Sequence, residues 1–103
     1  MTFYKSPRGE DVVKNLIYDL AQNDIRKIVF ALEKLSNENT IGLDIKPFRE
    51  KHIFELKVGK HRIFYVKKSE DIIIIHFLRK DSGKIRNVDV DIVLKRAKKI
   101  LNK

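Results

Sequence analysis

The sequence predicts an α+β fold: a helical hairpin packed on a small, mainly antiparallel sheet, with a basic helix at the C-terminus. Three observations carry this prediction. Apolar residues recur at helical spacing through the first third of the chain. Three strand-sized segments follow, two of them joined by a tight turn. The last quarter returns to helical spacing and holds most of the net positive charge.

Thr2 to Lys5 reads as a short strand, and Ser6-Pro7 as a helix start with serine as N-cap. Val12, Val13, Leu16, Ile17 and Leu20 then recur at helical spacing. Asn23 is placed to cap a second helix whose stripe is Ile25, Ile28, Val29, Leu32 and Leu35, so the pair forms an antiparallel hairpin. Residues 42–50 read as loop, with Pro47 disfavouring helical geometry at Lys46. Strands are expected at 52–58, 61–67 and 71–78, in an antiparallel meander. Ile72 to Ile75 suits an interior strand. Asp81-Ser82-Gly83-Lys84 is a turn, and a final helix over 89–101 gathers Ile92, Val93, Ala97, Ile100 and Leu101.

The tight turn is the most informative segment. With Gly59-Lys60 as a two-residue loop of the II′ kind, Val58 pairs with His61 and Lys57 with Arg62. Phe54 then faces Tyr65 and Leu56 faces Ile63 on the opposite, core-forming side. Two like charges directly opposite one another are unfavourable unless an anion compensates. The expected picture is one sheet face under the helices and one open face, carrying Lys57 and Arg62, suited to a polyanion. On that reading Arg62→Ala leaves folding stability level or slightly raised, and Phe64, sharing the Arg62 face, is the candidate to stack on a base.

The chain of 103 residues is long enough for one domain, 1–103. Without cysteine it has no disulfide framework, thiolate nucleophile or zinc–thiolate site. No apolar run approaches the ~18 residues of a membrane span, and no secretory leader is read, so a cytoplasmic protein with no membrane partner is expected. Net charge is +9, unevenly placed. Residues 1–35 hold six Lys/Arg against five Asp/Glu, 36–78 eight against six, and 79–103 nine against three. A negatively charged partner is therefore expected.

No phosphate-binding glycine fingerprint, HExxH pair or nucleophile elbow is present. Carboxylates are scattered, with Glu55 alone near the basic pair, so no metal site or cofactor is expected. Lys57, Arg62, His76, Arg79, Lys80 and Lys84 are the chemically useful groups, because phosphoryl transfer is served by positioning and by neutralising phosphate oxygens. His76 is the histidine kept for proton transfer. His61 shares parity with Ile63 and Tyr65, and His52 reads as surface.

Lys46 to Lys57, Arg62-Ile63-Phe64-Tyr65, His76 to Lys80 and the basic terminal helix together resemble the RelE/HigB toxins. The similarity is strongest to the phage-derived Gp49-like (HigB-type) branch of bacterial type II toxin–antitoxin systems. Glu55-Leu56-Lys57 stands where that branch has "ELR", and Arg62 to Tyr65 where it has "R-x-F-Y". The chain departs after Lys80, where Asp81 to Arg86 lacks the branch's usual "K-T-P". The resemblance implies a RelE-like fold and a metal-independent endoribonuclease that cuts mRNA on the ribosome using the RNA's own 2′-hydroxyl. It implies Lys57, Arg62, Arg79 and Lys80 as phosphate-binding or transition-state-stabilising groups, His76 as an orienting residue and Asp81 as a candidate proton donor. Phe64, Lys60, Lys84 and Arg86 are the expected RNA-binding residues. Implied partners are mRNA, the ribosome and a HigA-like helix-turn-helix antitoxin, through which alone operator DNA is reached. A non-catalytic basic RNA- or protein-binding module, or an operon corepressor of the same fold, is the alternative.

Overall fold

A computed structural model of the chain describes residues 1–81 and 83–102. Elements follow in the order β1 (Thr2–Phe3), α1 (Val12–Tyr18), α2 (Gln22–Ser36), β2 (Asp44–Phe48), β3 (Glu50–Val58), β4 (His61–Lys68), β5 (Asp71–Arg79) and α3 (Asn87–Leu101). The five strands form one sheet in the order β1-β5-β4-β3-β2, with β1 parallel to β5 and the other pairs antiparallel. Ser82 of the predicted 81–84 turn lies outside the described residues.

The β3–β4 hairpin has the expected register: Phe54↔Tyr65, Leu56↔Ile63, Lys57↔Arg62 and Val58↔His61. Gly59 has φ +60° and Lys60 does not share the positive sign, as a II′ loop requires. Residues expected as loop instead form β2, pairing Ile45 with Leu56 and Lys46 with Glu55. Pro47 is tolerated because β2 is an edge strand, and the extended geometry it imposes on Lys46 suits a strand equally well. A register shift after Pro47 and left-handed backbone at Arg49 (φ +64°) bend the chain into β3.

Ser6-Pro7 does not start a helix. The Gly9 amide closes a turn onto the Ser6 carbonyl at 2.8 Å, and the Ser6 hydroxyl accepts from the Glu10 amide. Gly9 at φ +83° then breaks helical continuity, so α1 begins only at Val12. Asn23 is likewise inside α2 rather than its cap, which is Ala21 with extended backbone.

The largest departure concerns the face expected to be open. Val13, Ile17, Ile28 and Leu32 of the helical hairpin cover Leu56, Ile63, Ile74 and Phe77. Val90, Val93 and Ala97 of α3 cover Ile53, Phe64, Val66 and Ile75 on the other face. All residues from His61 to Val66 are buried, so β4 lies between two layers. The spacing of Val90, Val93, Leu94, Ala97 and Leu101 gives α3 an apolar stripe that needs a sheet face to bury it. A bulge in β5 serves this packing. Phe64 pairs with His76 and Tyr65 with Ile74, leaving Ile75 unpaired, and both Ile75 and His76 meet the α3 side.

Candidate functional site

Arg62 is held inside the protein. Its Nε lies 3.2 Å from Glu55 Oε2, and its Nη1 donates to the carbonyls of Gly59 (2.9 Å) and His61 (3.2 Å). Glu55 is 3% exposed and Arg62 8%. Exposed Lys46 approaches the other Glu55 oxygen at 3.8 Å. The anion that compensates Lys57 and Arg62 is thus internal, and the expectation that Arg62→Ala is neutral or stabilising is overturned. The signal was present in sequence: Glu55 shares Lys57's face and lies on the diagonal from Arg62.

Above Glu55 the surface opens into a groove of about 540 Å³, lined by Lys46, Pro47, Phe48, Arg49, Glu55, Lys80, Lys84, Ile85 and Asn87. A neighbouring depression of about 340 Å³ shares Lys80, Lys84 and Ile85 and adds Leu78, Arg79, Asp81, Arg86 and Asp89. Lys80, Lys84 and Arg86 are therefore brought together as anticipated. Lys46 and Arg49 join them from the segment read as loop, which is why they were missed. Lys57 is exposed on the same sheet face, between Arg62 and Asp44 in the register, but does not line the groove.

Phe64 and Lys60, both anticipated, line neither depression. Phe64 has no exposed surface and meets Phe48 edge-on at 4.9 Å, so as folded it cannot stack on a base. Arg79 pairs with His61, at opposite strand parity to Arg62, and lines the second depression together with Asp81. There Arg79 Nε meets Asp81 Oδ1 at 3.0 Å, and Lys60 approaches the same oxygen at 3.9 Å. Arg79, Lys60 and Asp81 thus form an exposed cluster at the hairpin tip.

His76 is buried beneath the second depression. Its Nε2 lies 3.0 Å from Asp89 Oδ1, its Nδ1 3.4 Å from Arg96 Nη1, and Arg96 also donates to the Ile75 carbonyl at 2.8 Å. Arg86 Nε donates to the other Asp89 oxygen at 3.1 Å. Burial pushes the His76 imidazole below its usual 6.5; the Asp89 hydrogen bond opposes this and the Arg96 charge reinforces it. A neutral ring donating from Nε2 to Asp89 and accepting at Nδ1 from Arg96 satisfies every contact. For Asp89, burial acts to raise the pKa, but hydrogen bonds from His76 and Arg86 outweigh it and hold the carboxyl below 3.8. Burial pushes Tyr65 up to about 12, so its hydroxyl stays protonated near neutrality. Among the described residues no three His, Asp or Glu side chains converge as a metal site requires, and no helix is long and apolar enough to cross a membrane.

The profile of the family described as phage derived protein Gp49-like matches residues 16–98. The chain belongs to the Gp49-like family. The match covers the end of α1, all of α2, the whole sheet apart from β1, the groove, and α3 through Lys98. Among solved structures, this Gp49-like chain is similar to the RelB-RelE antitoxin–toxin complex from Methanococcus jannaschii. The TM-score is 0.63 at 18% identity, over 77% of this chain and 89% of that one. Its fold is RelE-like. Among curated proteins none matches the sequence.

In this Gp49-like chain the His76–Asp89 pair fixes the pH response. Unfolded His76 takes up a proton as pH falls through 6.5, while the folded ring resists until a lower pH. Stability is thus fully present above 6.5 and declines below it; Asp89, also depressed, adds a second decline below 3.8. Thermal unfolding from about pH 7 to pH 5 should show a falling midpoint in the wild type and a flatter one in His76→Gln. An equal slope in both would remove His76 as the cause.

Proposed function

We propose that this chain is the toxin of a type II toxin–antitoxin system, and that it cleaves mRNA on the ribosome with the RNA 2′-hydroxyl as nucleophile and no requirement for metal. The observation that carries the reading is the groove in which Lys46, Arg49, Lys80 and Lys84 surround Glu55. Membership of the Gp49-like family and the RelE-like fold support it.

Glu55 is the one carboxylate lining this groove among the described residues. In the proposed reaction Glu55 takes the proton of the 2′-hydroxyl as the O2′–P bond forms and the P–O5′ bond breaks. The products are a 2′,3′-cyclic phosphate and a 5′-hydroxyl, whose oxygen takes its proton from Lys80 or Lys84. The surrounding ammonium and guanidinium groups neutralise charge developing on the phosphoryl oxygens. Arg62 acts as a positioning residue, fixing Glu55 from behind, and Lys57 extends the positive field over which RNA approaches. The proposed partners are mRNA, the ribosome and a helix-turn-helix antitoxin, with operator DNA engaged through that antitoxin and the cytoplasm as the working compartment.

Primer extension on a translated reporter mRNA, after brief induction of the wild type beside Lys80→Ala/Lys84→Ala, tests the reading. Discrete cuts within the translated message are expected, reduced by about tenfold or more in the double variant. A folded, ribosome-associated wild-type chain that leaves the message intact would instead point to a basic binding module.

A further inference from the structure

A third pocket, of about 250 Å³, opens where α2 meets the Gly59-Lys60 turn. It is lined by Asp24 and Lys27 of α2, by Val58 to His61, and by Arg79 at the end of β5. Shared walls join it to the groove. Lys80, Lys84 and Ile85 line both the groove and the second depression, and Arg79 lines both that depression and this pocket. The junction is tied down: the Lys80 amide donates to the Lys60 carbonyl at 2.7 Å, and Asp81 Oδ1 lies 3.0 Å from Arg79 and 3.9 Å from Lys60. A run of cations thus leads from Lys46 and Arg49 past Lys84 and Arg79 to Lys60 and Lys27.

Two features set this pocket apart from a plain basic patch. Asp24 is a carboxylate beside three cations, where it would repel a bare phosphate. His61, 7% exposed, stacks on Phe77 at 5.4 Å, and its buried Nδ1 has no hydrogen-bond partner among the described residues. A buried nitrogen without a partner is tolerated better as an acceptor than as a donor, so the neutral ring carries its proton on Nε2. Nε2 stands 3.8 Å from Asp24 Oδ1. That gap is too long for a hydrogen bond, yet one hydroxyl oxygen can lie about 2.8 Å from both atoms. We propose that the pocket is a ribonucleotide subsite for the RNA strand that occupies the groove. A 2′-hydroxyl donates to Asp24 and accepts from His61 Nε2, while the adjoining phosphate is held by Lys27, Lys60 and Arg79. A deoxyribose strand meets the same cations but leaves Asp24 uncompensated, so the subsite selects RNA over DNA. The inference rests on the RNA reading of the groove and does not require cleavage.

The probes are a fluorescein-labelled RNA of about 12 nucleotides and DNA of the same sequence, with anisotropy read against the full chain. The wild type should bind RNA about threefold or more tighter than DNA. Asp24→Ala should erase that preference, weakening RNA while leaving DNA level or tighter, because a negative charge has been removed. Glu70→Ala removes an exposed carboxylate at the opposite end of β4 from the Gly59-Lys60 turn, and should leave the ratio unchanged. Lys27→Ala, at an exposed position of α2, should weaken both strands about threefold and lower the salt slope by about 0.7. RNA bound no tighter than DNA by the wild type overturns the proposal. So does an intact ratio in folded Asp24→Ala, or wild-type affinity and salt slope in Lys27→Ala. Unchanged oligonucleotide binding in both variants with lost co-sedimentation on ribosomes overturns it in favour of ribosomal RNA. If Asp24→Ala erases the preference but the wild type cuts no message, the endonuclease reading fails and the subsite stands. If messages are cut but neither variant alters binding, the reverse holds.

Discussion

Arg62→Ala should lower the unfolding free energy by about 3 kcal/mol, a large share of the ~5–15 kcal/mol typical of a domain. The change removes the guanidinium from a carboxylate that is itself 3% exposed, leaving Glu55 buried with only the longer contact to Lys46. It also strips the Gly59 and His61 carbonyls of a donor at the hairpin turn. Lys46 is why the expected loss stands at the low end of the range for a broken buried pair. For a chain of this size the midpoint should fall by on the order of 12–20 °C. Glu55→Leu/Arg62→Met should recover most of that stability, because removing both charges leaves neither unpaired. Urea and thermal unfolding of the three proteins decide the matter, and a single variant as stable as wild type would show that the pair contributes nothing to the fold. Because Arg62→Ala loosens the protein, its loss of activity would say little about chemistry; the exposed lysines are the better probes of cleavage.

Phe64→Ala should cost about 3–5 kcal/mol, the range for emptying an aromatic side chain from a closed core. Phe64 is fully buried between β4 and α3, edge-on to Phe48 and 6.1 Å from the His76 ring. The cavity would lie directly under the elements that carry Glu55 and Asp89, so the groove should lose its shape along with its support. Phe64→Leu, which keeps most of the volume, should cost about 1.5 kcal/mol. Denaturant titration with far-UV circular dichroism measures both. An alanine variant of wild-type stability with weakened RNA binding would return Phe64 to the surface role its strand position first suggested.

How far the sequence could be read depended on the range of the interaction involved. The hairpin register was legible because it follows from a two-residue turn and the alternation of side chains, both local properties of the backbone. The three helices were legible from apolar spacing, although their starts moved where Gly9 and Ala21, rather than Ser6 and Asn23, controlled the backbone. β2 was hidden because an edge strand with a proline and a bulge carries little alternation of its own. Asp89 escaped notice for a different reason: its partner His76 reaches α3 only because the β5 bulge turns two successive residues to one face.

Local patterning specifies the α+β class, the order of its principal elements, the face shared by Lys57 and Arg62, and the basic character of the C-terminal quarter. These depend on periodicity and charge, which any short window displays. Which cations remain at the surface follows from long-range packing. Seating α3 on the second face buries Phe64, the ion pair with Arg62 holds Glu55 at the floor of a groove, and Lys46, Arg49, Lys80 and Lys84 gather around it. The physical reason is that burial is a property of layers: a strand residue's alternation names its face, but whether that face meets water depends on a helix some 25 residues further along the chain.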